Sequence, residues 1–342
     1  MRVLVTGASG YLGIHVVHRL RAAGHTVRCF VRSEHKLHAA LEAIGLTADD
    51  VEIRTGDIVD AAAVAQAIVG CDAVVHTAAM VSQNPADADT VMRTNVEGAS
   101  NVFDAAVENR LDPIIHTSSV TAVFPPVGKV LSSDDPVTDP ISAYAKSKAQ
   151  TERVAREMQR DGDPVTIFYP GGIIGPVDPT IGSNTKAMID FFDKGFFPLP
   201  RRGGNSFIDV RDLAQAIAVA CEPGNGARRF MAGGTFVEWP IYIKHYREIA
   251  QRDFTTPSIP VPILKGLGKA VEVVANRLGK EPMITSESIY FMTEAVPSDD
   301  SAIHAELGVD YRPLRETLTD FVQWLVDVGH VDPDDAPGIS KR

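Results

Sequence analysis

The fold is decided by the stretch Arg2-Val3-Leu4-Val5-Thr6-Gly7-Ala8-Ser9-Gly10-Tyr11-Leu12-Gly13. Residues 2–6 are mostly apolar and predict a buried parallel strand. Apolar residues then recur every four positions at Leu12, Val16 and Leu20. This period predicts a helix from about Tyr11 to Ala23. A strand, a glycine turn and a helix in this order are typical of the first unit of a Rossmann-type, doubly wound α/β fold with a parallel sheet.

The turn itself carries three glycines, Gly7, Gly10 and Gly13, with the spacing Gly-x-x-Gly-x-x-Gly. Glycines let the backbone approach a pyrophosphate, and they leave the amides of the helix N-terminus open to its negative charge. The third glycine also lets the helix lie close to the sheet. We therefore expect a dinucleotide here, and a turn with a purely structural role is the alternative.

Arg32 follows the second predicted strand, Thr26–Val31. At this position an NAD-binding unit usually carries an acid that binds the ribose hydroxyls. A carboxylate would repel a 2′-phosphate, whereas a guanidinium can bind it through two hydrogen bonds. Arg32 therefore favours NADP as the cofactor. NAD is the alternative, in which case Arg32 is a solvated residue at a strand end.

The alternation of strands and helices continues through the first half of the chain. It comprises a strand at 51–54, a helix at 61–69, a strand at 73–79, a helix that begins or is interrupted at 94–98, and a strand at 114–119. Ligands of open α/β sheets bind at the carboxyl ends of the strands. Because Ser118 and Ser119 end the last of these strands, we expect their hydroxyls at the ligand-binding edge.

Tyr144 and Lys148 form a Tyr-x-x-x-Lys pair 25 residues after Ser119. On a helix, residues four apart share a face, so the ammonium of Lys148 would favour the phenolate of Tyr144. A phenol tuned in this way can exchange a proton with a carbonyl or an alcohol. Taken alone, the pair also fits an ordinary helix surface. Its combination with Ser119 and the glycine turn favours a catalytic role.

These motifs together resemble the extended short-chain dehydrogenase/reductases of the NAD-dependent epimerase/dehydratase superfamily, and most closely their dihydroflavonol 4-reductase-like branch. The resemblance covers nearly the whole chain. Its carriers are residues 6–13, Gly56-Asp57-Ile58, His76-Thr77-Ala78-Ala79, Asn95-Val96-Glu97-Gly98, His116-Thr117-Ser118-Ser119, residues 144–148, Tyr169-Pro170-Gly171-Gly172-Ile173, Gly175-Pro176 and Phe207-Ile208-Asp209-Val210-Arg211-Asp212.

The resemblance implies a catalytic role for four residues. Tyr144 would be the acid/base, and Lys148 would hold the nicotinamide ribose and lower the phenol pKa. Ser119 would hydrogen-bond the reacting oxygen, with Ser118 as the alternative for that role. Asn95 matches the asparagine that supports the proton relay in relatives.

The resemblance also implies the residues that bind the cofactor. They are Gly7, Ser9, Gly10, Tyr11, Leu12, Gly13, Arg32, Asp57, Ile58, Thr77, Ala78, Ala79, Tyr144, Lys148, Pro170, Gly171, Gly172 and Ile173. Asp57 and Ile58 match the adenine-contacting pair. Residues 170–173 match the segment that passes the nicotinamide carboxamide.

The charge of the chain argues against nucleic acid and anionic membranes as main partners, and we expect a small-molecule substrate. The chain has 342 residues and a formal net charge of -11 without a basic patch, which disfavours nucleic acid and anionic membranes as main partners. The three cysteines, Cys29, Cys71 and Cys221, are scattered, so neither a disulfide framework nor a metal site is expected. A homodimer is one expected assembly.

The sequence predicts a cytoplasmic protein without an integral membrane segment. A strand that begins at residue 2 leaves no room for a signal peptide, and no apolar run approaches ~18 residues. An amphipathic stripe lies at Ile263, Leu267, Val271, Val274 and Leu278, with Lys265, Lys269 and Arg277 outside it. This stripe would pack on the core or close on the substrate pocket, and a membrane-surface helix is the alternative.

We expect two parts and a tail. A Rossmann domain would comprise residues 1–172 and 205–224, with 207–220 returning to it as a strand and a helix. A smaller substrate-binding part would comprise residues 173–204 and 225–325. Residues 326–342 are predicted to be a flexible tail.

The substrate is indicated only by weaker signals. Phe124-Pro125-Pro126 should form a loop over the carbonyl, and an apolar pocket would be lined on its other side by Ile181, Met188, Phe191, Phe192, Phe196 and Trp239. Each of these residues also fits a core. Arg201 and Arg202 could meet an anion, although solvated arginines are the simpler interpretation.

The leading hypothesis is an NADP(H)-dependent oxidoreductase that acts on an apolar ketone, aldehyde or secondary alcohol. The alternatives are a nucleotide-sugar epimerase or dehydratase with tightly bound NAD, a 3β-hydroxysteroid dehydrogenase-type enzyme, and a non-enzymatic NADP-binding protein. Against the epimerase, relatives of that kind usually carry an arginine where this chain has Asn205. Against the non-enzymatic protein, both Tyr144 and Lys148 are present.

Overall fold

The computed structural model of the chain describes residues 1–82, 84–277 and 285–339. Its first half alternates strands and helices, as the sequence predicts. The elements are β1 Arg2–Thr6, α1 Tyr11–Ala22, β2 Thr26–Val31, α2 Glu34–Ala43, β3 Glu52–Thr55, α3 Ala61–Ile68, β4 Ala73–His76, α4 Ala88–Met92, α5 Gly98–Glu108, β5 Ile114–Thr117, α6 Ala143–Asp161 and β6 Val165–Pro170. The expected interruption at 94–98 is a π-helical turn, Arg93–Glu97, between α4 and α5.

The second half has shorter strands and more helices. The elements are β7 Gly172–Ile174, α7 Ser183–Lys194, β8 Leu199–Pro200, β9 Gly204–Asp209, α8 Val210–Ala220, β10 Arg228–Ala232, β11 Thr235–Glu238, α9 Trp239–Ala250, β12 Ser258–Ile259, α10 Val261–Arg277, α11 Ser286–Glu294, α12 Ser301–Leu307 and α13 Leu314–Asp327. Of the amphipathic stripe described above, Leu278 and the side chain of Val274 lie outside the described residues.

Seven strands form a parallel central sheet in the order β10-β6-β5-β4-β1-β2-β3. The chain starts near the middle of this sheet and winds outward in both directions, so the strand order reverses between β1 and β4. In doubly wound sheets, ligands bind in the crevice at this reversal, outside the carboxyl ends of the strands. The predicted fold class is confirmed.

Apolar side chains cover both faces of the central sheet. On one face Val3, Val5 and Val75 pack with residues of α1, α2, α8 and α12. On the other face Leu4, Val74 and Ile114 pack with residues of α3, α5 and α6. Burial on both faces explains why these strands read as continuous apolar runs rather than as alternating ones.

The boundary between the two parts differs from the expected one. Residues 207–209 do not join the central sheet, because β9 pairs with β7 and β11 in a separate three-stranded sheet. The edge position beside β6 is taken by β10, which we expected in the substrate-binding part. Ile303 of α12 is also buried against the face of the central sheet that α1 covers, so 228–232 and 301–307 belong to the Rossmann part.

The residues after α13 do not form the flexible tail that we expected up to residue 339. Val331, Ala336 and Ile339 are buried in a third apolar cluster, separate from those on the two faces of the central sheet, with residues of α9 and α13. The Gly338 amide donates to the Ala250 carbonyl at 2.9 Å. Apolar residues spaced through this short segment therefore anchor it.

Candidate active site

The glycine turn after β1 leaves no room for side chains. Gly7 has a φ of +73°, and a Cβ there would lie 2.7 Å from the Ala78 amide nitrogen after β4. A Cβ on Gly13 would lie 2.0 Å from the Gly7 carbonyl oxygen. The turn is closed by a hydrogen bond from the Gly10 amide to that same oxygen, at 2.8 Å. Only glycine allows α1 to start this close to the sheet.

The N-terminus of α1 is open towards the crevice. Its first residue follows Gly10, no side chain caps it, and its first turn contains no acidic residue. The side chains of Tyr11 and Leu12 turn away from the opening, since the Tyr11 hydroxyl donates to the Gly175 carbonyl at 2.6 Å and Leu12 is buried in the core. Ser9, Tyr11 and Leu12 thus offer backbone groups to a ligand at this end.

The ends of β2 and β3 carry the predicted adenosine contacts. Arg32 directly follows β2 and is exposed, and its guanidinium makes no hydrogen bond or ion pair with any residue the structure describes. Asp57 follows β3 and accepts a hydrogen bond from the Val59 amide at 3.2 Å. Ile58 is buried below Gly98, where a Cβ would lie 2.5 Å from its Cδ1 atom. These three residues therefore lie at neighbouring strand ends.

The ends of β4 and β6 complete the same edge. The Thr77 hydroxyl donates to the Thr6 carbonyl at 2.8 Å, Ala78 borders Gly7, and Ala79 is exposed. After Pro170, the Gly171 amide donates to the Ala232 carbonyl at 3.1 Å, and the chain enters β7 at Gly172 and Ile173. The predicted cofactor-binding residues outside α6 all lie at or after the carboxyl ends of the strands of the central sheet.

Helix α6 brings the predicted catalytic pair to this edge. Ser142 caps the helix, and its hydroxyl accepts the Ala145 amide at 3.2 Å. Tyr144 and Lys148 follow one turn apart, and the Tyr144 phenol is hydrogen-bonded to Ser119 at the end of β5. Burial raises the pKa of Tyr144 above its ordinary value, and the hydrogen bond with Ser119 opposes that rise. At neutral pH this phenol holds its proton.

Lys148 is buried, and its Nζ atom donates to the Thr117 carbonyl at 2.8 Å. Burial lowers its pKa from 10.5 to about 8, against the opposing charge of Glu152. We expected its ammonium to lower the pKa of Tyr144, but the pKa of that phenol is raised. The physical reason is that burial dominates at Tyr144 while Lys148 is bonded to the end of β5.

Asn95 lies in the π-helical turn and braces two elements. Its Oδ1 accepts the Met80 amide at 2.7 Å, and its Nδ2 donates to the Met80 carbonyl at 3.0 Å. The same Nδ2 donates to the Ser147 hydroxyl at 2.8 Å, and Ser147 donates to the Tyr144 carbonyl at 2.7 Å. Asn95 therefore connects the segment after β4 to the turn of α6 that carries Tyr144.

A buried polar layer under this edge was missed by sequence reasoning. His76 and His116 stack on neighbouring strands with ring centroids 5.8 Å apart, and His76 Nδ1 is hydrogen-bonded to the Thr6 hydroxyl at 2.8 Å. Burial lowers the pKa of both rings, and the nearby Lys148 charge adds to this effect. Both are therefore neutral at neutral pH. The available signal was a histidine in each of two otherwise apolar strands.

Most of the aromatic residues predicted to line the substrate pocket form a core instead. Met188, Phe191, Phe192 and Trp239 are buried in the third apolar cluster with residues of α9 and α13. Phe124 is also buried, and its ring stacks on Phe291 of α11 at 4.4 Å between centroids. Aromatic side chains gain more from such packing than from lining an open pocket.

Other residues near the predicted pocket remain partly exposed. Tyr290 of α11 packs its ring edge on Phe124 at 5.5 Å and is partly exposed. Phe196 is exposed, and Arg202 forms an ion pair with Glu294 of α11 at 3.1 Å. Helix α11 is thus the element that borders the predicted carbonyl loop, and the sequence did not single it out.

Neither a metal cluster nor a membrane-spanning helix is present in the described ranges. Among these residues, no three His, Cys, Asp or Glu side chains lie together in a way that would hold a metal ion. In the same part of the chain, no helix has both the length and the apolar composition needed to cross a bilayer. Cys29, Cys71 and Cys221 are buried free thiols.

Comparisons with known proteins agree with this geometry. The model of the NAD dependent epimerase/dehydratase family matches residues 3–233. Sterol demethylase protein B of Methylococcus capsulatus is 28% identical, over 97% of this chain and 100% of its own. A candidate dihydroflavonol 4-reductase of Synechocystis is 27% identical, over 96% of this chain and 95% of its own. A farnesyl-dihydroquinoline-oxide ketoreductase of Stigmatella aurantiaca is 27% identical, over 90% of this chain and 91% of its own.

Solved structures show the same fold. The structure of gox2253 has a TM-score of 0.81 and 26% identity, and the match covers 96% of this chain and 99% of that one. MoeE5 in complex with UDP-glucuronic acid and NAD has a TM-score of 0.71 and 20% identity, covering 95% of this chain and 98% of that one. At this lower identity the likeness shows the fold alone. The family match and the relatives confirm the predicted resemblance to the dihydroflavonol reductase-like branch. The chain therefore belongs to the NAD-dependent epimerase/dehydratase family, the nicotinamide-dependent enzymes of the extended short-chain dehydrogenase/reductase type.

Proposed function

We propose that the protein is an NADPH-dependent reductase of apolar ketones or aldehydes, and that it also oxidises the corresponding alcohols. The observation that carries this proposal is the convergence of Ser119, Tyr144 and Lys148 at the end of β5, next to the glycine turn. A protonated phenol that is hydrogen-bonded to a serine hydroxyl is a proton donor positioned at a ligand-binding edge.

The residues present fit a nicotinamide dinucleotide. The uncapped N-terminus of α1 and the glycine backbone suit a pyrophosphate, because a Cβ at Gly7 or Gly13 would collide with the neighbouring backbone. The Ser118 hydroxyl is buried at the same edge without a hydrogen-bond partner among the described residues. Lys148 and the 170–173 segment would hold the nicotinamide end, and Asp57 and Ile58 the adenine end.

The preference for NADPH rests on Arg32. Its guanidinium is exposed at the end of β2 and is not used by any residue in the described part of the chain. An unpaired arginine can bind a 2′-phosphate through two hydrogen bonds. A contact of this kind is worth more than ~1.4 kcal/mol, which corresponds to at least a ten-fold preference over NADH.

In the proposed mechanism the protein orients the carbonyl group and supplies one proton. When bound, the nicotinamide provides the hydride. Ser119 donates a hydrogen bond to the carbonyl oxygen, and Tyr144 transfers its phenolic proton to that oxygen as the alcohol forms. The raised pKa of Tyr144 keeps this proton in place at neutral pH, which favours the direction of reduction.

The apolar nature of the substrate is supported by two observations. Relatives named for a sterol demethylase system and for a farnesyl-quinoline ketoreduction match nearly the full chain. Asn205 of β9 is neutral, so it cannot compensate the charge of a diphosphate as an arginine would. An alicyclic ketone or secondary alcohol, as in a hydroxysteroid, belongs to the proposed class.

The test is a panel of substrates with both cofactors, measured by nucleotide absorbance and by thermal stabilisation. We expect turnover of aryl or alicyclic ketones and aldehydes with NADPH, and no turnover or stabilisation with UDP- or GDP-sugars. Titration should show that NADPH binds at least ten-fold more tightly than NADH. Arg32→Ala should remove that preference, whereas Arg160→Ala, an exposed arginine on α6, should leave it unchanged.

Two results would overturn the proposal. Equal affinity for NADH and NADPH would mean that Arg32 is a solvated residue without a role in cofactor choice. Saturable binding of a UDP-sugar, together with NAD that copurifies and resists dialysis, would favour the epimerase or dehydratase instead.

A further inference from the structure

Helix α10 presents an apolar side that nothing in the described part of the chain covers. Ile263, Leu267 and Val273 are 62%, 49% and 52% exposed. Ile263, Leu267 and Ala270 follow the i, i+4, i+7 spacing, so their side chains lie along one line of the helix. Ile263 and Leu267 are an exposed aliphatic pair on this line, and Val273 lies on the neighbouring line of the outward side, which it shares with Lys265 and Lys269.

The opposite side of α10 is the one that packs on the protein. Leu264 is buried, Ala275 is nearly so, and a Cβ on Gly268 would lie 2.3 Å from the Cδ1 atom of Ile289 in α11. The Glu272 carboxylate accepts the amide and the hydroxyl of Ser286, both at 2.7 Å. The helix is thus fixed by one side, and its outward side is available. Ile263 and Leu267 therefore do not pack on the core, which was one of the positions expected for this stripe.

The charged side chains without a partner around this patch, among the described residues, are all positive. Lys265, Lys269 and Arg277 are exposed, and none makes an ion pair or side-chain hydrogen bond with the residues that the structure describes. The nearby carboxylates are used internally: Glu272 by Ser286, Glu287 by the Ser142 amide at 2.9 Å, and Glu294 by Arg202 at 3.1 Å. A chain with a net charge of -11 therefore exposes unpaired cations beside its apolar helix side.

An apolar line flanked by free cations is complementary to an anionic lipid surface. A second copy of the chain is a poorer match, because a two-fold pairing would bring the same cationic patch of both copies together. A soluble acidic protein would satisfy the lysines but would leave no reason for the aliphatic row.

We propose that α10 docks the protein on anionic membranes, with Ile263, Leu267 and Val273 in the headgroup region and Lys265, Lys269 and Arg277 on the lipid phosphates. Helix α11 connects this surface to the candidate active site, since Phe291 stacks on Phe124 and Glu287 binds the cap of α6. An apolar substrate of the proposed reductase would then enter from the bilayer. Docking itself does not depend on the proposed reaction.

The experiment is flotation of the full chain with vesicles of phosphatidylcholine alone or mixed with phosphatidylglycerol. We expect flotation with the anionic vesicles and its loss in high salt. Lys265→Gln combined with Lys269→Gln should weaken partitioning by ten-fold or more, since each basic residue near the surface contributes substantially. Ile263→Glu combined with Leu267→Glu should abolish it. Val69→Glu, at an exposed valine after α3, is the control and should float like the parent protein.

NADPH binding and thermal unfolding of every variant report whether it is folded. If the double glutamate variant does not fold, the lysine variant alone decides the question. The proposal is overturned by absence of flotation of the parent chain, by flotation that neither variant changes, or by a dimer in sedimentation that Leu267→Glu dissociates. Because the readout is binding, a protein that floats but reduces no carbonyl would refute the proposed function and not the docking surface.

Discussion

At the scale of single residues, the candidate site places two titratable groups on one turn of α6, with Tyr144 partly buried and Lys148 buried. Tyr144 is held as a neutral phenol, whereas Lys148 is a buried amine whose pKa is lowered to about 8. Neither environment stabilises the fold by itself, because burial disfavours the charged form of each group. Such groups are typical of residues retained for chemistry.

Replacement of Tyr144 by Phe should lower turnover while nucleotide affinity stays nearly unchanged. The ring and its packing remain, but the proton donor and its hydrogen bond with Ser119 are lost. Turnover on a carbonyl substrate should fall by about 10²-fold or more, and the nucleotide Kd should change by less than about two-fold. Steady-state kinetics and nucleotide titration measure the two effects. Full activity of the variant would show that the proton comes from another group.

Replacement of Lys148 by Met should inactivate the enzyme and yet stabilise it. A folded-state pKa of about 8 against an ordinary 10.5 means that the folded chain releases this proton first. Unfolding free energy therefore rises with pH between these values and is reduced below them. Removal of the buried charge should raise the free energy of unfolding at neutral pH by about 1 to 3 kcal/mol. Glu152 stays paired with Arg156 at 2.6 Å.

Urea unfolding over a pH series tests this expectation in the cofactor-free protein. The parent chain should gain stability from about pH 8 upward, and the Lys148→Met variant should lack that gain. A variant less stable than the parent at neutral pH would contradict the argument, because it would mean that the hydrogen bond to Thr117 outweighs the burial of the charge.

At the scale of elements, the start of α1 is set by the contact between its first turn and the end of β1. Gly13→Ala would place a methyl group against the Gly7 carbonyl, which is backbone and cannot turn aside. We expect the free energy of unfolding to fall by about 1 to 3 kcal/mol and nucleotide affinity to drop by about ten-fold or more. Calorimetry and titration would check both.

A second glycine supplies the matched control for that variant. Gly266 lies on the outward side of α10 with open space around it. Gly266→Ala should stabilise the protein by about 0.5 to 1 kcal/mol through helix propensity alone and should leave nucleotide affinity unchanged. Equal effects of the two substitutions would mean that the close approach of α1 to the turn is not limiting.

At the scale of the whole molecule, the buried carboxylate of Asp209 connects α8, which packs on the central sheet, to α13 of the second half of the chain. Asp209 ends β9, caps α8, pairs with Arg211 at 2.6 Å and accepts the Thr317 hydroxyl of α13 at 2.8 Å. Arg211 also binds Asp320 of α13 at 2.7 Å. Burial alone would raise the pKa of Asp209, but the hydrogen bonds and charge of Arg211 outweigh it and hold that pKa below the ordinary value.

Asp209→Asn should therefore cost about 1.5 to 3 kcal/mol of unfolding free energy at neutral pH, because Arg211 loses its buried partner and keeps only its ion pair with the more exposed Asp320. A lowered folded-state pKa makes the contribution of Asp209 complete above its ordinary pKa of 3.8, and it is lost as pH falls through the folded-state value. Asp134→Asn, in an exposed pair with Arg229, should cost less than about 1 kcal/mol. Similar losses in both variants would contradict this account.

The elements, and the sheet edge at which they meet, follow from the sequence alone. The strand, glycine turn and helix of residues 2–22 and the alternation up to β6 follow from local periodicity, so the carboxyl edge with Gly7, Ser119 and Arg32 could be predicted. The helical spacing of Tyr144 and Lys148 placed that pair on one turn of α6 for the same reason.

Features that depend on competition between distant segments required the three-dimensional structure. By sequence, either β9 or β10 could occupy the edge of the central sheet beside β6. In the structure β10 pairs with β6, and β9 pairs with β11 in a separate sheet. Phe191 and Trp239 suit a pocket as well as a core, and packing against α9 and α13 buries them. The raised pKa of Tyr144 and the outward side of α10 likewise depend on surroundings that no local window contains. Periodicity is a property of neighbours along the chain, whereas pairing, burial and pKa values are set by neighbours in space.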